Sequence, residues 1–327
     1  MTGLLRRARL SIALQRWELA LITAGSIGLA VVMVIVGNQA QAIAAAHPGC
    51  LDPNTFRAGC EAAMKEFDQV TDLGSKLLYF SYGAPLGMGL LLGVPLVARE
   101  IDHGTASIAW TLSRSRIRWL SWRLAFVAIA VAVLLALLGV TSERLAQALQ
   151  PSLHLDADFT WYGRRGWLLI VRGLLALGIG LALGALIGRQ LPALLVAILV
   201  SVAVFTAVSL GMDRWLESAS VPAPFGVEVP GGMQLGERIA LPDGRLVRFA
   251  DLDPNQGYNI AIGPDGRVYA SADANGVLSD PRGQVVDLIV PGSAYPTFVL
   301  RESALLGALA LGSAAATAFV VRRRRPY

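Results

Sequence analysis

Residues 167–212 read WLLIVRGLLALGIGLALGALIGRQLPALLVAILVSVAVFTAVSLGM. Two apolar stretches, Trp167–Gly188 and Pro192–Met212, are separated only by Arg189-Gln190-Leu191, and Arg172 is the single charge inside them. Each stretch has about the 20 residues that a helix needs to cross a hydrocarbon core of about 30 Å. A backbone in lipid must satisfy its own polar groups, so helices are the spanning form, and the alternation expected of barrel strands is not seen. The short link between the stretches forces a tight antiparallel hairpin.

Working outward, the same reading gives Glu18–Gly37, Leu78–Ala98, Leu124–Val140 and Glu302–Val321 as further spans, six in all. Over the 327 residues, 54% are hydrophobic and 16% charged, against about 25% charged in an ordinary globular domain. That composition excludes a soluble cytosolic enzyme and a disordered or collagen-like chain. The fold class expected is an all-α polytopic membrane protein, six transmembrane helices with an extracytoplasmic β-rich insertion between helices five and six.

Charge sets the orientation. With both termini inside, the inner segments hold Arg6, Arg7, Arg9, Arg16, Arg99, Arg114, Arg116, Arg118, Arg123, Arg189 and Arg322 to Arg325, against Glu18, Glu100 and Asp102. Basic residues flanking spans favour the cytoplasmic side. The net charge of +5 therefore needs no nucleic-acid partner, since a block such as Arg322–Arg325 anchors a helix end at an anionic leaflet. Only Lys65 and Lys76 are lysines, and the arginine bias with abundant Ala, Gly and Leu is that of a high-GC bacterial genome. A multi-pass protein of a bacterial cell membrane is expected.

The N-terminus resembles a secretory signal, with basic residues, an apolar stretch and small residues at Ala40-Gln41-Ala42 or Ala44-Ala45-Ala46. The apolar stretch Leu19–Val36 is longer than the usual h-region of about 7–15 residues, which favours an uncleaved first span. Ahead of it, residues 1–17 carry Leu4, Leu5, Ala8, Ile12 and Leu14 at loosely helical spacing. That is the pattern of an amphipathic surface helix on the cytoplasmic face. Residues 18–212 then hold the first five spans, 213–301 the outer module, and 302–327 the sixth span with a basic tail.

The outer loop 38–77 contains both cysteines, Cys50 and Cys60, around the turn-forming Pro53 and Asn54. An oxidising compartment predicts a disulfide between them. Gly180, Gly184 and Gly188 in span four, and Gly83 and Gly87 followed by Gly89 and Gly93 in span two, recur every four residues. Small residues at that spacing let helices approach closely in lipid, within one chain or between two. In residues 213–301, Pro242-Asp243-Gly244-Arg245, Pro264-Asp265-Gly266-Arg267 and Asp280-Pro281-Arg282-Gly283 mark turns of a β-module. Ile239–Leu241 is expected to pair with Leu246–Phe249, and Tyr258–Ile262 with Val268–Ser271. Asp251, Asp253, Asp265, Asp273 and Asp280 read as turn residues rather than calcium ligands.

Chemistry is sparse. His47, His103 and His154 all fall in loops, and no acidic residue lies in a span interior, which disfavours an ion-coupled transporter. Arg172, near the outer end of span four, is expected to snorkel to the interface. No Gly-x-x-x-x-Gly-Lys-Ser/Thr, Gly-x-Ser-x-Gly, His-Glu-x-x-His or Cys-x-x-Cys occurs, so no catalytic residue, resident cofactor or metal site is assigned, and the chain does not hydrolyse ATP by a P-loop mechanism. An intramembrane enzyme is disfavoured on the same grounds.

The cytoplasmic loop 99–123 is the most informative stretch. It runs Arg99-Glu100-Ile101-Asp102-His103-Gly104-Thr105 and on to Trp110-Thr111-Leu112-Ser113-Arg114-Ser115-Arg116-Ile117-Arg118-Trp119. It resembles the first cytoplasmic loop of ABC-2 type ATP-binding-cassette transporter permeases, the membrane subunits, especially actinobacterial ones. Those have an Arg-Glu pair closing span two, then Gly-Thr, then a Ser-Arg-x-Arg-Trp-like run entering span three. Arg123 stands where many members have lysine, which keeps the charge.

The resemblance implies an ATP-driven permease, usually an exporter, that works as a homo- or heterodimer of membrane subunits powered by two separate ATPase subunits, which supply ATP and Mg chemistry. It implies coupling to the ATPase through Arg99, Glu100, Asp102, Gly104, Thr105, Arg116, Arg118 and Trp119, with a short helix near Gly104–Leu112 capped by Thr105. The plainer reading is that Arg99 and Glu100 terminate span two and pair locally. The alternative function is a membrane-anchored signalling or immunity protein whose outer module binds a ligand.

Overall fold

A computed structural model describes residues 16–47, 49–50, 59–105, 115–151, 153–227, 229–241, 244–248, 261–262, 267–269 and 281–323. The surface helix expected over residues 1–17, all but its last two residues, the coupling helix expected near Gly104–Leu112, all but Gly104 and Thr105, the turn aspartates Asp251, Asp253, Asp265, Asp273 and Asp280, and the end of the basic tail lie outside those residues.

Among the described residues, six helical stretches are long and apolar enough to cross a membrane. They are α1 (Arg16–Ala46), α2 with α3 (Glu61–Gly93 and Pro95–Asp102), α4 (Arg116–Leu149), α5 (Trp167–Ile187), α6 (Gln190–Ala219) and α7 (Tyr295–Arg323). All outrun the apolar cores read from the sequence except α5, because helical hydrogen bonding continues into the polar flanks. The α2/α3 junction falls at Val94, where Pro95 takes the first position of the new helix. Proline has no N–H to lose there and its fixed φ suits a helix start. Ser115 begins α4 as an extended N-cap, its Oγ accepting from Arg118 N at 3.1 Å.

Large apolar side chains are widely exposed on these helices, among them Leu21 and Ile35 on α1, Leu195 and Leu199 on α6 and Leu311 on α7. Contiguous apolar surface on this scale belongs in lipid. The interior is formed by Met88, Leu92 and Leu96 with Val127, Val131, Leu135 and Leu138 of α4 and Leu169, Leu177 and Leu181 of α5. Polar residues recur at a fixed depth. Tyr79 to Arg99, Arg123 to Glu143 and Glu302 to Arg322 are each twenty positions apart, about 30 Å of helix, which is the thickness of a hydrocarbon core.

Close packing is concentrated between α2/α3 and α5. A Cβ on Gly89 would lie 2.6 Å from Ala176 Cβ and 2.7 Å from Gly173 O, and one on Gly93 would lie 2.6 Å from Leu177 O. From the other side, a Cβ on Gly184 would lie 2.7 Å from Val94 O, and one on Gly180 would lie 3.2 Å from Val94 N. Backbones at this range admit nothing larger than glycine without shifting. Packing among the described residues does not use the other two spaced glycines of α2, and Gly188 has a different role from the one its spacing suggests. Gly83 and Gly87 have nothing within 4 Å of a Cβ, since their face of the helix meets no other part of the described chain. Gly188 is the left-handed C-cap of α5, at φ 71, its N–H donating to Gly184 O, so it ends the helix and sets up the turn into α6.

The chain divides into two compact units, and the second comprises His154–Thr160 with Ser209–Phe298. Within it lies an antiparallel sheet of order β3-β2-β6-β5-β4. Its strands are β1 (Val221–Pro224), β2 (Met233–Ala240), β3 (Leu246–Val247), β4 (Ala261–Ile262), β5 (Arg267–Tyr269) and β6 (Pro281–Val290). Both expected hairpins are present, with Ile239 opposite Val247 and Ile262 opposite Val268. The turn expected over Asp280–Gly283 is overturned: β6 begins at Pro281 and is the central strand, flanked by β2 along one edge and by β5 and then β1 along the other. Asp287 of β6 is buried and accepts from Gly226 N at 3.0 Å and Gln234 Nε2 at 2.8 Å, tying the strand to the segments around it.

Cys50 and Cys60 form a disulfide that joins the turn after α1 to the residue preceding α2. Both thiols are therefore expected to resist alkylation until the protein is reduced. Alkylation of unreduced, freshly purified protein, read by mass, checks this; two free thiols contradict it.

Candidate functional site

The last turn of α3, where loop 99–123 begins, is held by ion pairs and a hydrogen bond to three other helices. Arg99 Nη1 donates to Glu18 Oε1 of α1 at 3.1 Å. Arg123 Nη1 of α4 donates to Glu100 Oε1. The Asp102 carboxylate accepts from Gln190 N at 3.4 Å, at the start of α6, where a negative charge complements the positive end of the helix dipole. Exposure separates the pairs: Glu100 and Arg123 side chains are 15% and 9% exposed, whereas Arg99 is 46% exposed. The Glu100 Oε2 atom is buried and accepts no hydrogen bond among the described residues.

Around this core, Gly104 takes φ 69 and its N–H donates to Ile101 O, closing the end of α3. Thr105 Oγ1 donates back to Glu100 O at 3.3 Å, so its hydroxyl serves the preceding turn. The Arg123 guanidinium lies 4.9 Å from the Trp119 ring centroid, which places Trp119 beside the Glu100 ion pair. Arg116 is half-buried and Arg118 is exposed. The structure thus brings Glu100, Trp119 and Arg123 into one cluster and leaves Arg118 at the surface. Glu100 is less accessible to water than its place at a span end suggests, because the α4 helix covers it.

A second charged cluster lies at the other end of the helices. Arg172 of α5 donates through Nη2 to Glu302 Oε1 of α7 at 2.6 Å and through Nη1 to Gly163 O at 2.7 Å. Tyr162 Oη donates to Glu302 Oε2 at 2.7 Å, and the Tyr82 ring lies 5.1 Å from the guanidinium. The side chains of Arg172 and Glu302 are 11% and 3% exposed. Arg172 therefore does not snorkel to water, as its position in the sequence suggests; a carboxylate 130 positions later reaches it. Gly163 is required twice over, by its φ of 73 and by the guanidinium packed against it.

Residues 23–212, more than half of the chain, match the family described as ABC-2 membrane transporter related. The chain belongs to this family, and with it to the membrane permease components of ATP-binding-cassette transporters. The matched region includes the whole of loop 99–123 and ends at Met212, within α6 and before the sheet begins. No curated protein matches the chain, and no solved structure does.

Proposed function

We propose that the chain is the permease subunit of an exporter, paired with a second permease subunit and driven by two ATPase subunits that dock on loop 99–123. In this reading both termini are cytoplasmic, the sheet is extracytoplasmic, and ATP and Mg are handled by the partner. Family membership favours it over a ligand-binding signalling or immunity protein. The observation that carries it is the set of contacts through which the last turn of α3, at the head of loop 99–123, grips three helices: Glu18–Arg99 on α1, Glu100–Arg123 on α4 and Asp102–Gln190 on α6. A push on that loop is delivered to all three helix ends together, which is what a nucleotide-driven stroke requires.

Within the loop the roles divide. Glu100, Arg123 and Trp119 hold its shape, with Arg99 and Asp102 linking it to α1 and α6. Gly104 and Thr105 close the end of α3, and Arg116 and Arg118 lie on the α4 side, Arg118 being the exposed cation for an ATPase groove. The test is the reconstituted complex of permease and ATPase carrying Arg118→Glu. A reversed charge at an interface costs several kcal/mol, so ATPase association is expected to weaken by about tenfold or more while permease expression and thermal midpoint stay unchanged. Wild-type association and substrate-linked turnover in the variant would refute docking at this loop.

A further inference from the structure

Arg164 differs from the cations of the two charged clusters. Arg99, Arg123 and Arg172 each end on a carboxylate, whereas the Arg164 guanidinium meets none among the described residues. It lies instead on ring faces, 3.8 Å from the centroid of Tyr79 and 5.6 Å from that of Trp161. A guanidinium stacked this way keeps its N–H donors in the plane between the rings, free for an acceptor at its edge. Its backbone is fixed: Arg164 N donates to Trp161 O at 3.0 Å, and the buried Ser81 Oγ donates to Arg164 O at 2.6 Å. Among the described residues no acceptor takes up these donors.

Two further observations point to a ligand. Among the described residues Trp161 is the one non-glycine with positive φ, at 61 degrees, a conformation that a bulky side chain adopts only where its surroundings impose it. Its Nε1 is buried and has no hydrogen-bond partner among the described residues. The cluster also lies at the depth of lipid headgroups, since Tyr79 stands about 30 Å along the helix from Arg99. Beside it, Tyr79, Phe80 and Tyr82 are 58%, 71% and 47% exposed, an apolar and aromatic surface on which acyl chains can lie.

We propose that Arg164, stacked on Tyr79 and Trp161, binds a phosphate-bearing anion, supplied by the headgroup of an anionic membrane phospholipid. The bidentate edge of arginine matches two phosphate oxygens. This assignment does not depend on the coupling role of loop 99–123.

The test uses the full chain in nanodiscs of phosphatidylcholine alone or mixed equally with phosphatidylglycerol, with retained lipids counted by native mass spectrometry. Wild-type protein is expected to retain phosphatidylglycerol preferentially, and Arg164→Gln to lower that preference by about fivefold, the effect of one basic residue near an anionic surface. Tyr79→Leu, at an exposed position, removes the stacking platform and should lower it as well, which keeps the test open if Arg164→Gln does not fold. Arg248→Gln, at an exposed arginine of the sheet-bearing unit that already pairs with Glu217, should leave it unchanged. An undiminished preference in both Arg164→Gln and Tyr79→Leu overturns the site. If inorganic phosphate added to phosphatidylcholine discs protects wild-type protein from heat as phosphatidylglycerol does, the headgroup assignment is overturned in favour of a soluble phosphate.

Discussion

Replacing Glu302 by leucine is expected to destabilise the helical bundle strongly, more than a surface charge change such as Arg118→Glu. Among the described residues, the substitution leaves Arg172, 11% exposed, with the Gly163 carbonyl and the Tyr82 ring as its remaining partners. Removing one member of a buried ion pair typically costs about 3–5 kcal/mol, whereas replacing both by apolar residues can be close to neutral. The double variant Arg172→Met/Glu302→Leu should therefore recover most of the loss. Recovery stays incomplete, because two hydrogen bonds are lost with the pair, Tyr162 Oη to Glu302 and Arg172 Nη1 to Gly163 O, each worth about 0.5–1.5 kcal/mol. Thermal midpoints in detergent for the wild type, both single variants and the double variant form the cycle. Equal midpoints for Glu302→Leu and wild type would show that the pair does not stabilise the fold.

The second large effect is expected at Gly89. Its would-be Cβ lies 2.6 Å from Ala176 Cβ and 2.7 Å from both Gly173 O and Leu177 N. Two of those are backbone atoms of α5, which cannot swing aside as a side-chain end does. Gly89→Ala should cost about 1–3 kcal/mol through overpacking, and Gly89→Leu more. The control is Gly83→Ala, six residues earlier on the same helix, where nothing lies within 4 Å. There the gain in helix propensity, about 1 kcal/mol in water, meets no opposing clash. A thermal midpoint that falls equally in both variants would remove the distinction between the two glycine pairs.

That distinction shows where sequence reading ends. Four-residue spacing identifies close-packing glycines as a type, but it recurs on every face of a helix. Gly83–Gly87 and Gly89–Gly93 are offset by six residues, which turns the helix through about 600 degrees and separates their faces by about 120 degrees. Nothing in the spacing says which face meets a neighbour. The spans themselves were legible because uninterrupted apolar length is a local property that survives any tertiary arrangement. The Glu302–Arg172 pair was not, since Glu302 sits at the edge of an apolar run and its partner is 130 positions away. Strand β6 was partly legible: Val285-Val286-Asp287-Leu288-Ile289-Val290 is a β-branched run fit for a central strand, but the Pro and Gly just before it read as a turn. At the end of α3, the residue types pointed to a junction, and the structure supplied the partners Glu18, Arg123 and Gln190.

The wide separation of Arg172 and Glu302 also sets a timetable for synthesis. At about 5–20 residues per second, some 6 to 26 seconds pass between the emergence of Arg172 and that of its carboxylate 130 residues later. Through that interval α5 carries a cation whose counter-charge does not yet exist. The two contacts available in the meantime come from residues already made, the Gly163 carbonyl and the Tyr82 ring. They form a provisional berth for the guanidinium at the headgroup level, so that α5 can enter the bilayer before α7 arrives to complete the pair.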